Sequence, residues 1–205
     1  MVVIWGRSNS VNVQKVLWCC EEMTVKYSRI DAGAGFGVVN TPEYRKLNPN
    51  GLVPTIDDDG FLVWESNAIV RYLAAKHAAS LWPDDLRIRA SADRWMDWQQ
   101  TTFWPAIRPL FMGLIRTAPD KRDPRALEES RLKTAETLAI LDTHLSSRAY
   151  VAGDALTVGD IPLGCAIWRW MALPIERSGL PNVQRWFDSL AQRPAYKTIV
   201  MLPLS

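Results

Sequence analysis

The spacing of apolar residues divides the chain into two regimes. In the first, short apolar runs alternate with helical stretches. Val2–Trp5 is a brief apolar run ended by Gly6, and residues 25–30 form a second strand candidate. Between them Val13, Val16, Leu17, Cys20 and Met23 recur at helical spacing, with Asn9 or Ser10 where an N-cap belongs. Thr41, Pro42 and Glu43 read as a capped helix start with proline at the first position, and this helix ends near Leu47. Residues 54–56 are extended in character, residues 57–60 are turn-rich, and residues 61–64 are again strand-like, which together predict a β-hairpin. Ser66 then stands as N-cap before Ile69, Val70, Tyr72 and Leu73. Strand, helix and strand make a right-handed βαβ unit, and the hairpin adds two strands, one of them antiparallel.

The second regime is helical throughout. Residues 78–85 break the pattern with Pro83 and two aspartates, marking a connection. The expected division is therefore a first domain over residues 1–78, a linker over 79–86 and an all-helical domain over 87–205. Ala92, Trp95, Gln99 and Thr102 share one stripe, and Leu127, Arg131, Thr134, Leu138, Leu141 and Leu145 share another. Pro105 and Pro109 predict a kink or break near Trp104. Thr157 as N-cap, Asp160 at N3 and Leu156 against Ile161 read as a capping box with a hydrophobic staple, so Asp160 is expected to be a folding element. Pro162 is unusual there, because it removes a bond to the carbonyl of Val158. Pro181 and Pro194 open two short terminal helices.

Composition narrows the function classes. The 205 residues carry 24 basic and 22 acidic side chains, a net charge of +2, with no block of like charge. Neither a nucleic-acid nor a membrane partner is indicated. The five-residue apolar run before Gly6 is too short for a signal segment, and no later stretch approaches a membrane span, so the expected location is cytoplasmic. Cys19, Cys20 and Cys165 show no metal-ligand spacing, and His77 and His144 lack ligand partners, so no metal is expected. The glycines of residues 32–41 do not match a dinucleotide fingerprint.

Residues 47–75 hold the densest position-specific chemistry. Pro54 suits a sheet edge or a cis turn, either of which leaves the backbone of Val53 able to pair with an extended peptide. Glu65 and Ser66 sit where free amides and the helix dipole favour an anion. On residue types alone, an ordinary hairpin leading into a capped helix accounts for the same pattern.

The spacing N-P-x-G-x-V-P, a turn, then W-E-S-x-A-I-x-x-Y-L resembles the glutathione-binding half of soluble glutathione transferases. That resemblance implies a thioredoxin-like domain with a mixed four-stranded sheet, followed by an all-helical domain. It implies that Val53, before a cis Pro54, pairs with the cysteinyl part of glutathione, and that Glu65 and Ser66 hold its γ-glutamyl end. Leu52 stands where many relatives place Lys or Gln, which leaves the glycine carboxylate to Asn40 or to water. Residues 7–16, R-S-N-S-V-N-V-Q-K-V, resemble the serine-using bacterial classes, theta-like or nu-like, and put Ser10 at the catalytic position. Asn12 is the next candidate, with Ser8 and Asn9 close by. A thiol with a reference pKa near 8.5 is only a few per cent ionised at neutrality, so a hydroxyl donating to the sulfur favours the reactive thiolate. No tyrosine or cysteine occupies this stretch.

The same resemblance implies a pocket for a small hydrophobic electrophile, with Trp104, Arg108, Phe111, Met112, Trp168 and Trp170 as candidates. Arg108 would steady developing negative charge or serve only as a surface ion pair. The expected activity is a glutathione transferase, with glutathione as co-substrate and a homodimer as the assembly. A glutathione-dependent peroxidase or disulfide reductase, a dehalogenase, an isomerase or a non-catalytic binding module would use the same first domain.

Overall fold

A computed structural model describes residues 1–77, 80–177 and 179–205. The expected boundary between residues 78 and 79 lies outside these described residues. The first half is a four-stranded sheet, β1 (Val2–Trp5), β2 (Tyr27–Ile30), β3 (Thr55–Asp58) and β4 (Phe61–Trp64). Its order is β2-β1-β3-β4, with β1 and β2 parallel and the other pairs antiparallel. The second strand is shorter than predicted, because the backbone amide of Val25 is bound to the carbonyl of Cys20 at the end of the preceding helix.

Helix α1 (Val11–Glu22) packs with α3 (Ser66–His77), and Val13, Val16, Leu17, Ile69 and Leu73 close a core over Ile4 and Ile56. The amphipathic stripe understates α1, whose residues from Val13 to Cys20 are all buried. Trp18 and Cys19 enter a second core shared with the helical half. Gly6 is required where β1 leaves the sheet, since a Cβ there would lie 2.4 Å from a methyl of Val13. The short α2 (Pro42–Leu47) is capped as expected, the Thr41 hydroxyl accepting from the amide of Tyr44.

The helical half comprises α4 (Leu86–Trp98), α5 (Trp104–Phe111), α6 (Pro124–Leu145), α7 (Asp160–Ala172), α8 (Pro181–Ala191) and α9 (Pro194–Ile199). Of the kink or break expected near Trp104, the break does not occur, and the irregularity takes the form of a π-helical turn in a continuous path. A π-helical segment, Gln99–Phe103, joins α4 to α5, and a second, Met112–Arg116, follows α5. Wider turns of this kind accommodate the missing donors of Pro105 and Pro109 without ending the helix. The expectation for Pro162 is also corrected: α7 begins at Asp160, so the proline falls in the first turn, where its amide would have had no helical partner. Asp160 is fully buried and accepts from the amides of Val151 and Thr157, the Thr157 hydroxyl and the Trp186 indole.

Candidate functional site

The loop ahead of β3 is held rigid by its own polar side chains. Buried Asn48 donates to the carbonyl of Leu52 at 3.0 Å and to the Thr55 hydroxyl at 3.1 Å, while accepting from the amide of Asn50. The Tyr44 hydroxyl donates to the same Leu52 carbonyl at 2.7 Å. Gly51, with φ of +62°, turns the chain where a Cβ would meet the carbonyl oxygen of Val39 at 2.9 Å. The Val53–Pro54 peptide is cis. No backbone hydrogen bond is made by the amide or carbonyl of Val53 among the described residues. A single extended strand of peptide can therefore pair there, as at a sheet edge.

Glu65 is the second special position. Its φ of +70° is left-handed and unfavourable for a residue with a Cβ, at a cost of about 1–2 kcal/mol. Ser66 opens α3 as a helical residue, so the cap position belongs to Glu65, whose carbonyl accepts from the amide of Ile69. The amides of the first α3 turn point at this corner, and the Glu65 side chain is exposed beside them. Beneath it lies Lys15, wholly buried, whose ammonium donates to Ser66 Oγ at 3.4 Å, Asn67 Oδ1 at 3.3 Å, Gln99 Oε1 at 3.0 Å and Gln100 Oε1 at 3.4 Å. All four acceptors are neutral. Burial drives the Lys15 pKa down to about 8 despite the thiol of Cys165 and the carboxylate of Glu65. Because an ammonium only donates, its bond uses a lone pair of Ser66 and leaves that hydroxyl's proton for another acceptor.

Ser10 occupies the N-cap of α1, with φ −77° and ψ 127°, yet its side chain makes no capping bond. The hydroxyl borders a cleft of about 360 Å³ between the two halves. Asn12, Leu52 and Val53 line the same cleft from the sheet side, and Trp104, Arg108, Phe111 and Met112 from the helical side. Trp104 and Phe111 meet at a tilt, 6.3 Å between centroids. Arg7, Arg116 and Arg169 also line it.

Not every expected residue gathers here. Trp168 lies outside the cleft lining, its indole donating to the carbonyl of Leu202 and its ring stacked on Phe187. Trp170 is core. Asn40 is exposed and accepts from Arg45. No surface ion pair is formed by Arg108 among the described residues. The three thiols are buried, and burial pushes those of Cys20 and Cys165 up to about 12. Among the described residues no group of three His, Cys, Asp or Glu could hold a metal, and no helix is long and apolar enough to cross a membrane. Sequence reasoning missed Lys15, Tyr44, Arg116 and Arg169. Lys15 and Arg7 stood inside the motif of residues 7–16, but nothing in linear spacing says that a lysine is buried.

Comparison with known proteins matches residues 9–76 to "Glutathione S-transferase, N-terminal domain" and residues 102–194 to "Glutathione S-transferase, C-terminal domain". The chain is 42% identical over 208 residues to Escherichia coli "Glutathione S-transferase GstB", covering 100% of both. It superposes on the theta class glutathione S-transferase of Xanthomonas axonopodis pv. citri, solved with glutathione bound, with a TM-score of 0.97 and 48% identity, covering 100% of this chain and 99% of that one. A maize glutathione S-transferase I in complex with an atrazine glutathione conjugate shares the fold at 23% identity and a TM-score of 0.89, covering 100% of this chain and 99% of that one.

Proposed function

The chain belongs to the glutathione S-transferase family, and from that membership we propose how its own residues carry the transfer. Glutathione lies extended against Val53, whose amide and carbonyl supply two backbone bonds to the cysteinyl unit. Its γ-glutamyl end reaches the first turn of α3, where the Ser66 hydroxyl and the helix amides receive the carboxylate and the Glu65 side chain receives the ammonium. The left-handed backbone at Glu65 supports this assignment, since strain of that kind persists where surrounding structure holds a residue for a task. Asn40 and Leu52 flank the glycine end, and water completes the shell around that carboxylate.

The sulfur then lies beside Ser10. The observation that carries the mechanism is that the Ser10 hydroxyl, though at an N-cap, makes no cap bond and remains available to donate. Donation to the sulfur favours the thiolate, helped by the α1 amides and the arginines of the cleft. Asn12 offers a second donor. With the protein thiols buried and pushed above their ordinary range, the nucleophile is the glutathione sulfur itself. It attacks an electrophile resting on Trp104, Phe111 and Met112, forming the carbon–sulfur bond as the leaving group departs.

Ser10→Ala tests this. Conjugation of an aryl halide should lose roughly one to two powers of ten in kcat/KM, the size of one to two pKa units, and its pH profile should move toward higher pH. Glutathione affinity by calorimetry should change little. An unchanged pH profile would remove Ser10 from thiol activation.

The assembly is a homodimer formed through the exposed apolar side chains of edge strand β4, Phe61, Leu62 and Trp64.

A further inference from the structure

The cleft carries four guanidinium groups, those of Arg7, Arg108, Arg116 and Arg169, and no aspartate or glutamate lines it. None of the four forms an ion pair with a carboxylate side chain among the described residues. Arg116 donates to the backbone oxygen of Ser205 and lies over the ring of Phe111, 5.4 Å from its centroid. Arg169 is 3% exposed, donates to the carbonyls of Cys165 and Asn9, and leaves its Nε buried without a partner. The side chains of Arg7 and Arg108 make no hydrogen bond to protein among the described residues. Burial lowers the pKa of Arg7 and Arg169, and the charge of Arg116 lowers both further. Four like charges lining one cleft with no carboxylate side chain among its walls are poised for an anion.

Glutathione cannot account for all of them. Its γ-glutamyl carboxylate is directed to Ser66, and its glycine carboxylate satisfies one guanidinium fork at most. Arg108, Arg116 and Arg169 come from α5, the π segment after it and α7, the wall opposite Val53, where Trp104, Phe111 and Met112 supply the apolar contact. We propose that this cleft selects small electrophiles that carry a carboxylate, held by Arg108, with Arg7 facing it from the Val53 side of the cleft, while the carbon skeleton rests on Trp104, Phe111 and Met112. The inference rests on the transferase reading for the route of the sulfur. In the reaction a sulfur lone pair forms the bond to the carbon bearing a halide, the halide leaves with the bonding pair, and the carboxylate stays ionised and unchanged. A planar fork and a cavity of about 360 Å³ suit a compact carboxylate.

The test uses a matched pair, 4-chloro-3,5-dinitrobenzoate and its carboxamide, each enzymatic kcat/KM divided by the uncatalysed rate with glutathione. The acid should be favoured at least ~tenfold, the worth of one charge-assisted contact. That ratio should fall severalfold in Arg108→Gln, further in Arg108→Gln with Arg7→Gln, and by less in Arg108→Lys, and it should shrink between 50 and 500 mM salt, concentrations chosen for roughly a threefold change in screening length. A ratio near one in the unmodified protein overturns the proposal. So does a rise in KM for glutathione with the ratio unchanged in the variants, which would assign the arginines to the glycine carboxylate. Failure to turn over either compound would count against the transferase reading instead. The two chemically made S-aryl glutathione conjugates then decide the anion question by calorimetry: tenfold tighter binding of the carboxylate conjugate upholds the proposal, and equal or absent binding overturns it.

Discussion

Lys15 holds a positive charge where water cannot reach it. Its four partners are neutral oxygens, and burial lowers its pKa from 10.5 to about 8. The unfolded chain therefore binds more protons than the folded one between about 8 and 10.5, and this residue's contribution to stability rises with pH across that window. The shift corresponds to about 3 kcal/mol. Above about 9 the buried thiols act oppositely, since their pKa values are raised and the folded state keeps protons that the unfolded state loses. The clean observable is thus the difference between the unmodified protein and Lys15→Met in urea unfolding. That difference should shift in favour of the lysine form as pH rises from 8 to 10, and a flat difference would show that the ammonium is not desolvated. Ser10, Val53, Glu65 and Ser66 were legible as candidates because the spacing of residues 7–16 and 47–75 resembles that of the family, while the turn and helix-start offsets alone equally suit a capped hairpin. Lys15 was not, because its burial comes from α3 and the π segment converging on α1 from far along the chain.

Among the elements, α7 shows how one side chain can anchor a helix. The expected capping box is not formed as read: Gly159, not Thr157, is the N-cap and Asp160 opens the helix, and only the carboxylate's half survives, accepting from the amide and hydroxyl of Thr157. The same carboxylate also takes the amide of Val151 and the indole of Trp186. Burial raises its pKa to about 6, the four donors opposing that rise. Asp160→Ala would leave several buried donors unsatisfied, so an urea midpoint corresponding to a loss of at least ~3 kcal/mol is expected. Asp160→Asn, retaining one acceptor, should lose less. The proline-rich α5 teaches the complementary point. Pro105 and Pro109 signal interruption, yet the π turns on either side let the helix continue and carry Trp104, Arg108, Phe111 and Met112 to one wall of the cleft.

At the scale of the whole molecule, the two halves are joined by a core. Trp18 of α1 packs edge-on against Tyr196 of α9, 4.8 Å between centroids, and lies so close to α7 that a Cβ on Gly164 would come within 2.7 Å of its ring. The Arg193–Glu22 ion pair at 2.6 Å and the Trp18 indole bond to Glu22 lie at the same junction. These contacts tie α1, which Ser10 precedes, to α7 and α9 of the helical half, as the proposed placement of a thiolate against an electrophile requires. Edge strand β4 leaves Phe61 56% and Trp64 40% exposed, one on each face of the sheet. Phe61→Glu should convert a dimer to a monomer in light scattering coupled to gel filtration, and an unchanged mass would place the assembly surface elsewhere.

Local chemistry determined much of this protein before any folding was considered. Turn residues, caps, prolines and apolar spacing dictate the strands and most helices, because each is a property of a few adjacent residues, whereas the loop motif ahead of β3 points to a peptide-pairing edge only through its resemblance to the family. The arginine cluster, the buried ammonium, the direction of Trp168 and the uncommitted hydroxyl of Ser10 were decided only by tertiary structure. Electrostatic environment depends on which groups distant in the chain converge and how much water they exclude, and neither quantity is written in linear spacing.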